Sequence, residues 1–237
     1  MTLKSKMNFS LCLVALLAFN CSDDTVDTGD VPDTGGAPDT GGTDDTGGTG
    51  DTGSAMTFFL TSVGPGDGAN LGGLDGADAH CTSLAEAAGT TGQEWRAYLS
   101  TTGAEGVNAM DRIGTGPWIN ADGVTIATDV DNLLSDDNNI NQDTAISESG
   151  EIINGIGDSP NRHDILTGTE LDGTAADDTC SNWTSNDLGT TLVGHHDRDG
   201  GGANPESWSS AHGTAGCSQA DLISTAGDGL FYCFATN

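Results

Sequence analysis

The pattern of apolar and polar residues in the C-terminal three quarters of the chain predicts three strands and one helix. Segments rich in β-branched and aromatic residues are typical of strands. Apolar residues that recur at intervals of three and four predict an amphipathic helix, which ends at Gly89 and places Cys81 on its buried face. The strands are expected at residues 57–62 (TFFLTS), 94–100 (EWRAYLS) and 229–236 (GLFYCFAT), and the helix at residues 74–89 (LDGADAHCTSLAEAAG).

The N-terminus has the pattern of an export signal. Lys4 and Lys6 precede the apolar segment at residues 9–19, which is too short to span a bilayer as a helix. Cys21 follows at once, before the polar residues Ser-Asp-Asp, and this arrangement resembles the lipobox of bacterial lipoproteins. The resemblance implies a signal peptide over residues 1–20 and a lipid anchor on Cys21. It also implies export to the outer membrane, facing the cell surface. The alternative is a secreted protein with an unmodified Cys21.

Between the lipid site and the domain lies a degenerate Asp-Thr-Gly repeat. Residues 22–55 contain no aromatic and no basic residue, so they cannot bury enough apolar surface to offset the entropy of an ordered chain. We therefore expect residues 21–55 to form a disordered, acidic tether that is extended by charge repulsion. The alternative is a calcium-binding stalk. Ordered structure is expected to begin at Met56.

The charge of the chain excludes several classes of partner. Its 36 acidic residues outnumber 6 basic ones, which gives a formal net charge of -30. A field this negative repels polyanions, so nucleic acid, heparin-like polymers and anionic membrane surfaces are poor partners. We expect a monomer that meets the membrane through its lipid anchor alone. After the leader, the basic residues are Arg96, Arg112, Arg162 and Arg198.

The cysteines outside the leader and the lipid site are even in number: Cys81, Cys180, Cys217 and Cys233. An even number of cysteines in an exported domain predicts two disulfides, and counting alone leaves three pairings open.

Several segments of residues 56–237 occur in the order of a known domain. A cysteine-bearing helix leads into a strand, and a second cysteine lies in the closing strand. The segments are GGLDGADAHCTSLAEAAGTTGQEWRAYLS (72–100), DRIGTGPWINADG (111–123), LTGTELDGT (166–174), DTCSNWTS (178–185) and GCSQADLISTAGDGLFYCFA (216–235). They resemble collagen-derived endostatin domains, and most of all the C-type-lectin-like domain of a group of bacterial surface lipoproteins.

This resemblance implies an α+β, C-type-lectin-like (endostatin-like) fold that is loop-rich and disulfide-linked. It also implies the pairs Cys81–Cys233 and Cys180–Cys217. The ligands of the relatives do not carry over. The nearest counterparts of the lectin sugar-binding motifs, around Trp183 and Pro205, are altered and in the wrong order, and four arginines cannot reproduce a heparin site.

The segment VGHHDRDGGG, residues 193–202, pairs two histidines with two aspartates. Adjacent residues on a strand point to opposite faces, so His195 and His196 cannot both bind one ion without a turn. If residues 192–197 form a strand, we expect one histidine to be packed or hydrogen-bonded and the other exposed. In the favoured interpretation, two aspartates cap the turn, Arg198 pairs with a nearby carboxylate and the glycines adopt positive φ. Replacing both histidines with alanine is then expected to leave the zinc content unchanged.

A candidate calcium loop lies further upstream. Asp137, Asn139, Asn141 and Glu148 offer oxygen ligands, and Glu148 falls at the EF-hand spacing from Asp137. Gln142 stands where an EF-hand needs glycine, and no helical pattern flanks the loop. A lectin-type calcium loop and a solvated loop therefore both remain as interpretations, and the same holds for the acidic segment 170–178. Calcium is the one cofactor that the sequence suggests.

The motifs of common enzymes are absent from the sequence, so we expect no enzymatic activity. Trp95 and Trp183 lie in the family-like motifs and are expected in the core, which leaves Trp118 and Trp208 as the candidate exposed, ligand-binding pair. The most consistent function is a surface lipoprotein that recognises a carbohydrate or a protein through its long loops. The alternatives are a hydrolase acting on an envelope or extracellular polymer, and a structural component of the envelope.

Overall fold

A computed structural model describes residues 56–236, which form a mixed α+β structure with short elements and long connections. The strands are β1 (Phe58–Leu60), β2 (Trp95–Ala97), β3 (Trp118–Ile119), β4 (Thr125–Ala127), β5 (Asp164–Leu166), β6 (Leu192–His195), β7 (His212–Gly213) and β8 (Gly227–Ala235). The helices are α1 (Gly73–Ala87), α2 (Val130–Leu134) and α3 (Gln219–Ser224), with a 3-10 turn at Ala109–Asp111 and a left-handed helical turn at Cys180–Trp183.

The four elements predicted from the sequence are all present. The predicted strands correspond to β1, β2 and β8, and the predicted helix corresponds to α1 with ends shifted by one or two residues. Gly89 follows α1 with a φ of 90°, a left-handed conformation that glycine adopts without steric cost. The buried face of α1 carries Ala77, Asp78, Cys81 and Ala85.

The last strand, β8, organises the main sheet. The sheet has six strands, with β1, β8, β5, β6 and β7 in that order, and β2 also pairs with β8. β1 and β2 run antiparallel to β8, whereas β5 runs parallel to it. β6 pairs antiparallel with β5 on one side and with β7 on the other. β3 and β4 form a separate two-stranded sheet.

Both faces of β8 are buried in apolar clusters. Phe231 and Cys233 belong to the cluster that includes the buried face of α1, and Tyr232 and Phe234 belong to the cluster on the opposite face. Successive side chains of a strand point to opposite faces, so burial on both sides accounts for the nearly continuous apolar run of this strand.

The two disulfides pair Cys81 with Cys233 and Cys180 with Cys217, as the family resemblance implies. The first joins α1 to β8 across 152 residues of sequence, and the second spans 37 residues.

The predicted signal peptide, the lipid site Cys21 and the tether lie outside the described residues. Within residues 56–236, no helix is both long enough and apolar enough to cross a membrane.

The Asp78 carboxylate joins α1 to the polar groups around β2. It accepts a hydrogen bond from the Ala97 N–H at 2.9 Å and forms ion pairs with Arg96 and Arg112, each at 2.8 Å. The Asp78 and Arg112 side chains are only 9% and 11% exposed, whereas that of Arg96 is 35% exposed.

Replacing Asp78 with asparagine is expected to lower the free energy of unfolding by about 3 kcal/mol, because it leaves the charge of Arg112 buried without a partner. Chemical denaturation of the oxidised protein measures this change. Asp75→Asn, an exposed carboxylate on the same helix, is the matched control and should change stability by less than about 0.5 kcal/mol. Equal effects of the two substitutions would contradict the prediction.

Candidate functional site

The loop between β6 and β7, residues 197–209, forms one wall of an open cleft of about 600 Å³. We call these residues the 197–209 loop. The opposite side of the cleft is lined by residues from the end of α2 and from the loop after β5. The lining includes Leu134, Asp136, Leu171, Arg198, Glu206 and Trp208.

Arg198 fastens the 197–209 loop to the rest of the domain. Its guanidinium donates to the Ile140 carbonyl and to Asn138 Oδ1, each at 2.5 Å, and to the Glu206 carbonyl at 3.3 Å. The prediction that Arg198 pairs with a nearby carboxylate is therefore wrong. Backbone carbonyls and an amide oxygen take that role.

The far end of the loop lies directly against β6. The His195 N–H donates to the Ser207 carbonyl at 2.8 Å. A Cβ atom added at Gly194 would lie 1.7 Å from the Trp208 carbonyl oxygen. Glycine is thus required at this position by the close approach of two backbones rather than by a turn.

The prediction that Trp118 and Trp208 are exposed is wrong. Trp118 is fully buried, and its indole N–H donates to the Ala235 carbonyl at 3.2 Å. Trp208 is 4% exposed, and its ring packs against Tyr98 and Tyr232. Both rings fill the apolar cluster on the second face of the sheet, so neither offers a stacking platform to a ligand. Trp95 and Trp183 are buried, as expected.

The residues of the candidate calcium loop have separate environments. Asp137 is exposed, and the Asn141 amide donates to Asn139 Oδ1 at 3.2 Å. Glu148 is buried, and its carboxylate accepts hydrogen bonds from the N–H and the hydroxyl of Ser62. The structure therefore brings the two asparagines together, while Glu148 fixes the end of β1. Calcium binding by this loop stays a prediction. In the acidic segment 170–178, Asp172 accepts two hydrogen bonds within its own turn.

Strand pairing gathers a different set of residues at the base of the 197–209 loop. Asp164 pairs with His195 across β5 and β6, and Val193 pairs with His212 across β6 and β7. Directly paired residues share a face, as do residues two apart on one strand. Asp164, His195 and His212 therefore lie on one face of the sheet.

We call His163, Asp164, His195 and His212 the Asp164–histidine cluster. Each histidine Nε2 atom lies 3.3 Å from Oδ1 of Asp164. The rings of His163 and His195 stack with their centroids 4.3 Å apart. Asp164 is 2% exposed, His195 is fully buried, His163 is 5% exposed and His212 is half-buried.

The opposite nitrogen of each ring, Nδ1, contacts an oxygen atom outside the cluster. His195 Nδ1 lies 2.8 Å from the Pro205 carbonyl, and His212 Nδ1 lies 3.1 Å from the Gly213 carbonyl. A carbonyl only accepts, so both Nδ1 atoms carry the proton. His163 Nδ1 faces Asp197 Oδ1 at 3.3 Å.

Asp197 is held as a carboxylate. Burial acts to raise its pKa, but the hydrogen bonds from His163 and from the Ile156 N–H outweigh burial and lower the pKa to about 2. An ionised Asp197 is the acceptor that keeps the proton of His163 on Nδ1.

His196 has a separate environment, with its Nε2 3.2 Å from the Asn154 carbonyl. The prediction that the two adjacent histidines cannot act together agrees with this arrangement, but the prediction that one of them is exposed is wrong, since both are fully buried. Gly200 and Gly202 have φ values of 127° and 105°, as expected, and Asp199 accepts from the Gly200 N–H.

The sequence did not identify His163, Asp164 and His212 as members of a site, because they lie far apart along the chain from His195. The local signal was the dipeptide His163-Asp164 directly before the apolar residues that form β5.

Comparison with known protein families finds no family model that matches this chain, and comparison with curated proteins finds no significant match.

Gly194→Ala is expected to destabilise the domain by about 3 kcal/mol, the upper end for overpacking, because the new methyl group meets a backbone carbonyl that cannot rotate away. Thermal and chemical denaturation measure the change. Gly213→Ala on the neighbouring strand is the control, since its methyl group would have no atom nearer than 3.9 Å. A Gly194→Ala variant as stable as Gly213→Ala would refute the close approach.

Proposed function

We propose that this chain is a surface-anchored lipoprotein whose C-type-lectin-like domain recognises a carbohydrate in the cleft beside the 197–209 loop. The observation that carries the proposal is the cleft itself, which has the size of a small-molecule site and is walled by long loops. The mixed α+β sheet and the disulfide between the first helix and the last strand support the finer assignment to the lectin-like fold.

The chemistry of the cleft suits a neutral sugar better than a charged polymer. Carboxylates of Asp136 and Glu206 can accept hydrogen bonds from sugar hydroxyls, and the serine and asparagine side chains of the 197–209 loop can both donate and accept. Leu171, which is 54% exposed, offers an apolar surface to the C–H face of a sugar ring. The net charge of -30 disfavours sulfated or phosphorylated polymers.

Hydrolysis of an envelope polymer is the second candidate. It is favoured by the presence of two carboxylates, Asp136 and Glu206, on the same cleft, because glycoside hydrolysis uses a pair of such groups. A binding module holds the sugar unchanged, whereas a hydrolase releases new reducing ends.

The proposal is tested by screening the purified mature chain against arrays of neutral and anionic oligosaccharides, followed by calorimetry on the ligands that bind. We expect binding to neutral glycans. Glu206→Gln should weaken it about tenfold, since a charged hydrogen-bond acceptor is lost.

Glu151→Gln is the matched control, because Glu151 is exposed and does not line the cleft. Equal affinity of the two variants would place the binding site elsewhere on the domain. An array without any bound glycan would refute carbohydrate recognition, and release of reducing sugar would establish the hydrolase instead.

A further inference from the structure

We propose that His163, Asp164, His195 and His212 bind one divalent zinc ion through three Nε2 atoms and Oδ1 of the aspartate. The site goes beyond the proposed function. Its role is structural, because it joins both ends of the 197–209 loop to the sheet.

The charge of the buried Asp164 carboxylate is not compensated by a hydrogen bond. Among residues 56–236 neither of its oxygens has a hydrogen-bond partner, although both are buried, and His195 Nε2 is equally without one. A buried carboxylate without a partner carries a large desolvation cost, so folded proteins neutralise it with an ion or a hydrogen bond. The contacts of 3.3 Å from the histidines lack hydrogen-bond geometry, so the carboxylate needs a positive charge beside it, and a bound metal ion supplies one.

The histidine rings of the cluster have an oxygen acceptor at Nδ1, on the side away from Asp164. Carbonyl oxygens hold the Nδ1 protons of His195 and His212, and the Asp197 carboxylate faces Nδ1 of His163. In a neutral imidazole the other nitrogen then presents a lone pair. Three Nε2 atoms consequently surround a carboxylate oxygen, an arrangement that is repulsive unless a metal ion or protons on Nε2 supply positive charge. Metal-binding histidines usually have such an acceptor on the outer nitrogen.

The distances from the histidine nitrogens to Asp164 Oδ1 match those between zinc ligands. Zinc binds nitrogen and oxygen at about 2.0–2.1 Å, so neighbouring ligand atoms at the corners of a tetrahedron are about 3.3 Å apart. Each histidine Nε2 lies 3.3 Å from Asp164 Oδ1. The ligand atoms of His163, Asp164 and His195 lie within 4.8 Å of one another. His212 lies outside this group, so its half-buried side chain has to shift to take the fourth position.

The donor set selects the metal. Three imidazole nitrogens and one carboxylate suit zinc, whereas calcium and magnesium prefer oxygen ligands throughout. Four protein ligands leave no open coordination position, which is typical of structural rather than catalytic zinc.

The position of the ligands gives the ion its role. His195 precedes the 197–209 loop and His212 follows it, so one ion ties the two ends together. Gly200, within the loop, packs over the cluster so closely that an added Cβ would lie 2.8 Å from the His163 ring and 3.0 Å from the His195 ring. This proposal replaces the expectation that His195 has no part in zinc binding.

The experiment uses the purified full chain with both disulfides intact. The protein is stripped with a chelator, dialysed against zinc, calcium or magnesium, and analysed for bound metal and for its thermal midpoint. We expect about one equivalent of zinc per chain. We also expect a rise in the midpoint that the other two ions at the same concentration do not reproduce.

His212→Ala is the informative variant, because this half-buried side chain can be removed with little loss of packing. It should weaken zinc binding by at least about 100-fold, whereas His80→Ala, the control on α1, should bind as the unaltered chain does. Cobalt(II) provides a second signal, since tetrahedral cobalt absorbs visible light strongly and loses this absorption when a ligand is removed.

Zinc bound by less than about a tenth of the chains at micromolar free zinc would overturn the proposal. So would equal zinc affinity in the His212→Ala and His80→Ala proteins, because the bound ion would then belong to scattered carboxylates. Glycan binding enters neither measurement, so the zinc site and the recognition function can fail independently.

Discussion

The disulfide between Cys81 and Cys233 is the constraint on which the rest of the domain depends. It joins the first helix to the central strand, and every other strand of the main sheet is added to that strand directly or through β5 and β6. A chain with 36 glycines and 5% aromatic residues has little apolar side chain with which to offset its entropy. Closing a loop of this length lowers the entropy of the unfolded chain by the equivalent of about 5 kcal/mol, so the cross-link compensates for a modest core.

The sequence predicts those parts of the fold in which a local pattern coincides with burial. α1 carries a regular apolar periodicity, and β1, β2 and β8 are rich in aromatic and other apolar residues. The pairing of the cysteines came from a resemblance to a domain family rather than from a local pattern. β5 and β7 were not predicted, and β6 was considered only as a conditional strand over residues 192–197. The three strands contain two to four residues each, and β6 and β7 include glycine and histidine. Trp118 and Trp208 were misplaced for a related reason. The apolar cluster that buries them forms only when segments remote in sequence pack on the second face of the sheet.

The Asp164–histidine cluster shows why the site was harder to predict than the fold. Its members lie at positions 163, 164, 195 and 212, and no helical or loop spacing relates them. Their proximity follows from the register of β5 with β6 and of β6 with β7. Alternation along a strand correctly separates His195 from His196, but only the pairing of strands shows that the partner of His195 is Asp164.

The cluster and the cleft share one structural element, the 197–209 loop. Its inner side supplies the Pro205 carbonyl to the His195 ring, and its outer side supplies Glu206 to the cleft. Trp208 anchors this polar segment in the apolar cluster on the second face of the sheet. Its shape depends further on the Arg198 hydrogen bonds and on the backbone contact at Gly194. The proposed recognition of a ligand by these loops would require a fixed geometry, because ordering a loop on binding costs entropy. In this loop, buried hydrogen bonds and the buried Trp208 ring together hold that geometry.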